Sequence, residues 1–159
     1  MGRRSKNTVH AAIIAALYVV LTHMQNLLLP GSASWAIQFR LSEALCVLAM
    51  FTPAAIPGLS IGCFLFNLTF AAALPLDMVV GTLATFLAAM TMWWMRRVPV
   101  VPLLMPALFN ALLVGWELSV YIGGGFLFNA ATVAIGEAAV LLTLGAILQK
   151  ALKTRRVFP

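Results

Sequence analysis

Charged residues divide the chain into long apolar stretches, and the length of these stretches determines the architecture. No Asp, Glu, Lys or Arg occurs between Lys6 and Arg40 or between Glu43 and Asp77, a run of 33 residues in each case. A single helix of that length would rise about 50 Å, whereas the hydrocarbon core of a bilayer is about 30 Å thick. Each run must therefore contain a break between two membrane-crossing helices.

Prolines and glycines mark these breaks. The first span ends at Pro30 and Gly31, and residues 52–58, with two prolines and a glycine, separate the second span from the third. The sequence therefore predicts an all-α membrane protein with a single domain over residues 1–159. Its six transmembrane helices are expected at about residues 9–29, 39–51, 57–73, 76–95, 102–122 and 126–152. The first span has no convincing cleavage site, so we expect it to be retained and not removed as a signal peptide.

The net positive charge of the chain has to be interpreted together with its apolar composition. Hydrophobic residues make up 63% of the chain and charged residues 9%, which excludes a soluble domain and a disordered chain. The formal charge of +6 would suit a nucleic-acid binder, but nine of the ten basic residues flank the predicted spans: Arg3, Arg4, Lys6, Arg96, Arg97, Lys150, Lys153, Arg155 and Arg156. If the N-terminus is cytoplasmic, six spans place all nine, and the C-terminus, on the cytoplasmic side. The positive charge therefore indicates topology, and no nucleic-acid partner is expected.

The other charged and polar groups fall in the half of the predicted bundle that faces outwards. A charged side chain in hydrocarbon costs about 2.5–3.5 kcal/mol on insertion scales, so each one requires a reason. The candidates for a substrate site are Trp35, Gln38, Arg40, Glu43, Asn67, Asp77, Asn110, Glu117 and Glu137. Because the cytoplasmic half has few such groups, the pattern favours a cavity that is open to the outside and closed toward the cytoplasm over a channel.

Most of these residues also have a purely structural interpretation. Arg40 and Glu43 are three residues apart on one predicted helix and can neutralise each other. Asp77 favours a helix N-terminus, and buried asparagines can hold helices together. Glu117 and Glu137 are the hardest to explain in this way, since no basic residue lies near them in the sequence.

Small residues form two further patterns. Residues 58–62 match the G-x-S-x-G nucleophile motif around Ser60, but no histidine follows Ser60, so a small-residue helix surface is favoured over a catalytic site. Four alanines of the first span, Ala11, Ala12, Ala15 and Ala16, form a flat strip on which another helix can pack. The cysteines and histidines show no metal-ligand spacing, so no catalytic residue, metal or cofactor is predicted.

Three stretches of the chain resemble the queuosine-precursor transporter family, QueT. They are QFRLSEAL at residues 38–45, FTPAAIPGL at 51–59 and LDMVVGTLAT at 76–85. The length, the six spans and the alanine strip also agree, so the resemblance covers nearly the whole chain. The later spans match mainly through Asn110, Glu117 and Glu137.

The resemblance implies a function and partners. Members of this family are substrate-binding subunits (S components) of energy-coupling factor (ECF) transporters in the bacterial cytoplasmic membrane. An S component of this family would capture a 7-deazaguanine base, such as queuine or 7-aminomethyl-7-deazaguanine, from outside for ATP-driven uptake. Its partners would be a transmembrane coupling protein (T component), docked on the alanine strip, and two cytoplasmic ATPases. The chain has no nucleotide-binding motif of its own, so we expect a transporter subunit and not an enzyme.

A 7-deazaguanine base also suits the chemistry of the candidate residues. The edge of such a base offers adjacent N–H donors to one carboxylate, its carbonyl requires donors, and its flat ring stacks on Trp or Tyr. We expect Glu137 or Glu43 to bind the base edge, Glu117 or Asp77 to bind a cationic aminomethyl arm, and Arg40 with the amides to complete the pocket.

Two further expectations concern access to the cavity and the identity of the substrate. The connector at residues 30–37, which carries Trp35, is expected to act as a lid over the cavity. The fold does not fix the substrate, so an S component for riboflavin or thiamine is one alternative. A small proton-coupled secondary carrier is another.

Overall fold

The computed structural model describes residues 2–30, 32, 39–70 and 73–155, and most of these residues are helical. No β-strand occurs within these ranges. The prediction of an all-α membrane bundle is confirmed, and each of the six predicted spans corresponds to a helical stretch of the described chain.

The first span is helix α1 (Arg3–Leu28), which has 26 residues and therefore rises about 39 Å. It contains neither glycine nor proline, so nothing interrupts its ladder of backbone hydrogen bonds. Large apolar side chains such as Ile13, Leu17 and Val20 are exposed on its outer face. Such a face is typical of a helix that contacts lipid and not water.

The second predicted span is present, but its helix has an unusual geometry. Leu41–Met50 forms a 3₁₀ helix of ten residues, which reaches about 20 Å, whereas an α-helix of the same length would reach about 15 Å. Side chains three residues apart lie above one another in a 3₁₀ helix. Arg40, Glu43 and Cys46 therefore share one face. Most residues of this helix are buried by its neighbours, so its backbone is shielded from lipid.

The remaining spans are α-helical. They are α2 (Ala55–Thr69), α3 (Asp77–Trp94), α4 (Met105–Tyr121), and α5 (Phe126–Val140) continued by α6 (Ala146–Arg155). A π-helical turn, Leu141–Gly145, joins α5 to α6, so the two helices form one continuous span. Four of the described helical stretches are long and apolar enough to cross a membrane, and the 3₁₀ helix and α2 are shorter.

A triple glycine ends α4 and turns the chain into α5. Gly123, Gly124 and Gly125 have φ values of +87°, +81° and +81°, in the left-handed region that side chains with a Cβ rarely adopt. At the other end of α4, Pro106 lies in the first turn, where its missing N–H leaves no hydrogen bond unmade.

Helices α1 and α2 run parallel and approach each other closely through glycine. A Cβ at Gly58 would lie 2.8 Å from the carbonyl oxygen of Ala11, and a Cβ at Gly62 would lie 2.7 Å from the Cβ of Tyr18. The hydroxyl of Ser60 donates to the carbonyl of Ile56 at 2.8 Å, one turn back along the same helix. The interpretation of residues 58–62 as a small-residue helix surface is therefore confirmed.

The main apolar core lies among α1, α2, α3 and the 3₁₀ helix. Its largest fully buried members include Tyr18, Leu59 and Met92, packed against Val47 of the 3₁₀ helix. A smaller core, built on Val114, Leu118 and Val133, joins α4 to α5.

Successive spans alternate in direction, so the basic residues gather at one end of the bundle and Asp77 lies at the other. The start of α1, the connector that carries Arg96 and Arg97, and the end of α6 lie at one end, which we call the basic end. Gln149 of α6 donates to the carbonyl of Pro99 at 3.0 Å, which ties α6 to that connector. Asp77 and the turn at Gly123 lie at the opposite end, which we call the acidic end.

Candidate functional site

Five buried polar side chains from four parts of the chain come together inside the bundle. We call them the inner cluster: Tyr18 of α1, Arg40 and Glu43 at the start of the 3₁₀ helix, Asn110 of α4 and Glu137 of α5. Hydrogen bonds or electrostatic interactions join each member to another. The fold thus brings together four of the predicted site residues: Arg40, Glu43, Asn110 and Glu137.

Glu43 is held by two donors. The hydroxyl of Tyr18 donates to Oε1 at 2.7 Å, and the thiol of Cys46 donates to Oε2 at 3.1 Å. The second contact follows from the 3₁₀ helix, which places residues 43 and 46 on the same face. Both oxygens of Glu43 are therefore already engaged by the protein.

Arg40 supplies the positive charge of the inner cluster. It is only 3% exposed, and its guanidinium interacts electrostatically with Tyr18, Glu43 and Glu137. The predicted partnership of Arg40 with Glu43 therefore extends to a second carboxylate on α5. A buried arginine of this kind can donate to a carbonyl or ring nitrogen of a ligand while it offsets nearby carboxylates.

Asn110 and Glu137 form a hydrogen-bonded pair between α4 and α5. The amide nitrogen of Asn110 donates to Oε2 of Glu137 at 2.7 Å. Within the described residues, Oδ1 of Asn110 and Oε1 of Glu137 have no hydrogen-bond partner. Leaving a buried acceptor unpaired costs about 1–3 kcal/mol, so these two oxygens indicate a position for a donor from outside the described residues.

Glu117 and Asp77 form a second acidic site, which we call the outer pair. Glu117 lies on α4 seven residues beyond Asn110, on the same face and about 10.5 Å nearer to the acidic end. It is fully buried, and neither of its oxygens has a hydrogen bond of normal geometry to the described residues. Its closest interactions are with the carboxyl group of Asp77, which lies near enough to share a hydrogen bond with it, and the attraction of Arg40 is weaker.

Asp77 and Asn67 also have structural partners. One oxygen of Asp77 accepts from the backbone N–H of Leu74 at 2.7 Å, as expected for an acidic residue at the start of a helix. The side chain of Asn67 donates to the backbone carbonyl of Asp77 at 2.8 Å and so joins α2 to α3. Asn129 donates to the carbonyl of Gly123 at 2.7 Å and stabilises the glycine turn. A ligand-binding role of Asn67 remains a prediction.

Gln25 holds the two ends of the connector between α1 and the 3₁₀ helix. Its side chain accepts from the N–H of Leu41 at 2.7 Å, and it donates to the hydroxyl of Ser32 at 2.9 Å and to the carbonyl of Phe39. Trp35 and Gln38, both predicted site residues, lie in this connector but outside the described residues. Their roles, and the lid function of the connector, remain predictions.

Sequence reasoning missed the polar face of α1. Tyr18, Thr22 and Gln25 follow one another at spacings of four and three residues, which places them on one side of the helix. All three are buried and hydrogen-bonded to the 3₁₀ helix or to the connector before it. This helical spacing of polar groups inside an apolar span was the signal that could have revealed them.

The four alanines of α1 belong to a different feature, a groove on the outside of the bundle. The groove has a volume of about 830 Å³ and lies between α1 and α2, where it is lined by Ala11, Ala12, Ala15, Ala16, Pro57 and Ile61, among others. Ala12 and Ala16 are exposed, whereas Ala15 is buried against α2. The groove is almost entirely apolar and begins near the basic end, away from the outer pair.

Together these features define a class of protein: a multi-pass membrane protein with a buried cluster of polar side chains inside its helical bundle, some of whose atoms have no hydrogen-bond partner among the described residues. A family model described as QueT transporter matches residues 8–154, nearly the whole chain. The chain therefore belongs to the QueT transporter family, which implies a transporter for a queuosine precursor. No curated protein and no solved structure matches the chain.

Proposed function

We propose that the protein is the S component of an ECF transporter and that it captures a 7-deazaguanine queuosine precursor from outside the cell. In this proposal the inner cluster binds the base, and the groove on α1 and α2 docks on a transmembrane coupling protein. Two cytoplasmic ATPases drive uptake, because nothing in this chain resembles a nucleotide-binding motif.

The observation that carries the proposal is the pair Asn110 and Glu137, with two buried acceptor oxygens that lack partners among the described residues. The pyrimidine edge of a deazaguanine presents adjacent N–H donors, and these are the groups that such acceptors require. Arg40 supplies a donor for the ring carbonyl in the same cluster. The two sides of the site thus match the donor and acceptor pattern of the base.

The orientation rests on the distribution of charge. Basic residues gather at the end of the bundle that holds the start of α1 and the end of α6, and the positive-inside rule places that end in the cytoplasm. Both termini are then cytoplasmic, and the acidic end faces outwards in the bacterial cytoplasmic membrane. A ligand would enter past the connector at residues 30–37, and Trp35 and Gln38 would close over it.

The groove supports the assignment to an ECF transporter. An apolar groove lined by alanines on a membrane-facing surface allows another helix to approach closely, and small residues favour such contacts in lipid. The exposed Ala12 and Ala16 are its most accessible small residues. A coupling protein docked here would contact the S component without touching the inner cluster.

Binding of the free base to the purified chain tests the substrate assignment. We expect 7-aminomethyl-7-deazaguanine to bind the wild-type protein with submicromolar affinity in isothermal titration calorimetry, and riboflavin and thiamine to show no binding. Glu137→Gln should weaken the base at least tenfold, because one oxygen that accepts from the base becomes an amide donor. Wild-type protein that binds riboflavin or thiamine instead would assign it to another vitamin.

Reconstitution with a coupling protein and its ATPases tests the mode of transport. We expect uptake into proteoliposomes to require ATP and all partner subunits, and to persist when an uncoupler removes the proton gradient. Uptake by this chain alone that stops on addition of an uncoupler would show a proton-coupled carrier instead.

A matched pair of variants tests the docking surface. Ala16→Phe fills the groove, whereas Ile13→Phe adds bulk at an exposed position of α1 that does not line it. We expect Ala16→Phe alone to abolish copurification with the coupling protein, while both variants retain ligand binding. Equal copurification of the two variants would exclude the groove as the docking surface.

A further inference from the structure

The groove between α1 and α2 needs an occupant whenever no coupling protein is docked on it. It has a volume of about 830 Å³, and apolar side chains such as Ala11, Pro57 and Ile61 make up most of its walls. An apolar space of this kind excludes water and takes up hydrocarbon, and if it were empty its lining atoms would lose dispersion contacts. In a membrane, the acyl chains of lipids are the nearest source of hydrocarbon.

The length of the groove matches one leaflet of a bilayer. Its lining follows α1 from Asn7 to Val20, which corresponds to a rise of about 20 Å. The hydrocarbon core is about 30 Å thick, so each leaflet contributes about 15 Å of it. An acyl chain that enters the groove at the basic end can therefore stay inside it as far as the middle of the bilayer.

The groove becomes polar only at the basic end, where a lipid headgroup would lie. The polar residues of its lining are Asn7 and Thr8, in the second turn of α1. Arg4 precedes Asn7 by three residues, Thr8 by four and Ala11 by seven, so it continues the same helix face by one further turn. The hydroxyl of Thr8 donates to the carbonyl of Arg4 at 3.1 Å. A guanidinium, an amide and a hydroxyl are the donors that phosphate oxygens accept from.

The charge at this opening is positive and suits an anionic headgroup. Neither wall of the groove offsets it, since no Asp or Glu occurs within residues 4–20 or 53–65. Arg4 and Lys6 are both exposed, but Lys6 lies about 200° further around the helix, on the side away from the groove. Arg4 is therefore the basic residue that the helix places at the opening, and Lys6 offers a matched control.

We propose that the groove binds an anionic phospholipid when no coupling protein is docked, with the lipid phosphate at Arg4, Asn7 and Thr8 and an acyl chain along the alanines of α1. The inference concerns a ligand other than the transported base and takes nothing from the substrate assignment. A coupling protein that docks on the groove, as proposed above, has to displace this lipid.

Native mass spectrometry of the full-length chain, delipidated in mild detergent, tests the headgroup site. The probes are dioleoyl phosphatidylglycerol, which is anionic, and dioleoyl phosphatidylcholine, which has the same acyl chains but no net charge. We expect the wild type to bind the anionic lipid at least fivefold more tightly. Arg4→Glu should weaken the anionic lipid at least fivefold and abolish the preference, because one basic residue at an anionic surface contributes about this factor. Lys6→Glu makes the same change in charge and should bind the anionic lipid within twofold of the wild type.

A second pair of variants tests the path of the acyl chain. Ala16→Phe fills the groove and should weaken both lipids at least fivefold, whereas Ile13→Phe adds the same ring at an exposed position that does not line it and should change neither. The thermal unfolding midpoint shows whether Ala16→Phe is folded. If it is not, Ala12→Leu, at another exposed position of the lining, replaces it and is judged by the same criterion.

Three results would overturn the inference. Equal binding of the two lipids by the wild type would exclude an anionic headgroup site. Equal loss of the anionic lipid in Arg4→Glu and Lys6→Glu would show a general attraction to the basic end in place of a site at the groove. Wild-type lipid binding by a folded groove-filling variant would exclude the groove as the path of the acyl chain. None of these results affects binding of the base, whose failure in calorimetry would overturn the proposed function instead.

Discussion

A single methyl group at Gly115 should disturb the inner cluster from one and a half turns away. Gly115 lies in the contact between α4 and α5, and a Cβ at this position would be 2.8 Å from the Cα and 2.9 Å from the backbone nitrogen of Ala130. These atoms belong to the backbone of α5 and cannot rotate away. The variant Gly115→Ala therefore has to push the two helices apart.

The required displacement follows from the contact distances. Ordinary van der Waals contact begins at 3.4 Å, so α4 and α5 must separate by about 0.6 Å. Asn110 lies about 7.5 Å from Gly115 along α4 and Glu137 about 10.5 Å from Ala130 along α5, and the hydrogen bond between them is 2.7 Å long. A similar separation there would stretch the bond to about 3.3 Å, beyond the normal N–H···O range.

Thermal stability and ligand affinity test the effect of Gly115→Ala, with Gly145→Ala as the control. Overpacking of this kind costs about 1–3 kcal/mol, so the thermal unfolding midpoint of Gly115→Ala should fall and ligand affinity should drop about tenfold. A Cβ at Gly145 would meet its nearest neighbour, Val47, at 3.4 Å, so the control should behave like the wild type. If Gly115→Ala keeps both wild-type stability and wild-type affinity, the close approach of α4 and α5 does not position the pair.

Three further substitutions probe other parts of the structure. Tyr18→Phe removes a donor to the buried Glu43 and should lower the free energy of unfolding by about 1.5–3 kcal/mol, measured by urea unfolding in mild detergent. Gln25→Ala releases the N–H of Leu41 and should speed limited proteolysis of the 30–40 connector, which an unchanged cleavage rate would contradict. Ser60→Ala loses only a bond within α2, so uptake should remain within twofold of wild type; loss of uptake would reopen a catalytic role for this serine.

The positions of the spans could be predicted from the sequence because they depend on local properties. Charge-free runs, prolines and glycines report directly on where a helix can cross a bilayer and where it must end. The triple glycine at 123–125, for example, ends the fifth span as predicted. The same signals do not distinguish an α-helix from a 3₁₀ helix, since that choice depends on how neighbouring helices bury Leu41–Met50.

The site was harder to predict because it depends on which helix faces touch. Glu117 and Glu137 were recognisable as unusual from burial cost alone, but that Asn110 pairs with Glu137 follows only from the packing of α4 on α5. Tyr18 appeared as one more aromatic residue in an apolar span until the 3₁₀ helix placed Glu43 beside it. The exposure of the alanine strip could not be predicted from the sequence either, since α2 covers Ala15.

The short 3₁₀ helix has a consequence for how the protein is made. About 20 apolar residues are needed for a helix to partition into a bilayer by itself, and Leu41–Met50 has ten, one of them a glutamate. During synthesis this segment therefore has to enter the membrane together with α2 as a hairpin, after α1 is in place. Glycosylation mapping of truncated chains checks this order: a chain ending at residue 54 should leave residues 41–50 outside the bilayer, and a chain ending at residue 70 should not. The element that carries Arg40 and Glu43 would then reach its place only after α1, so that Tyr18 of α1 is already in the membrane when Glu43 arrives to accept its hydrogen bond.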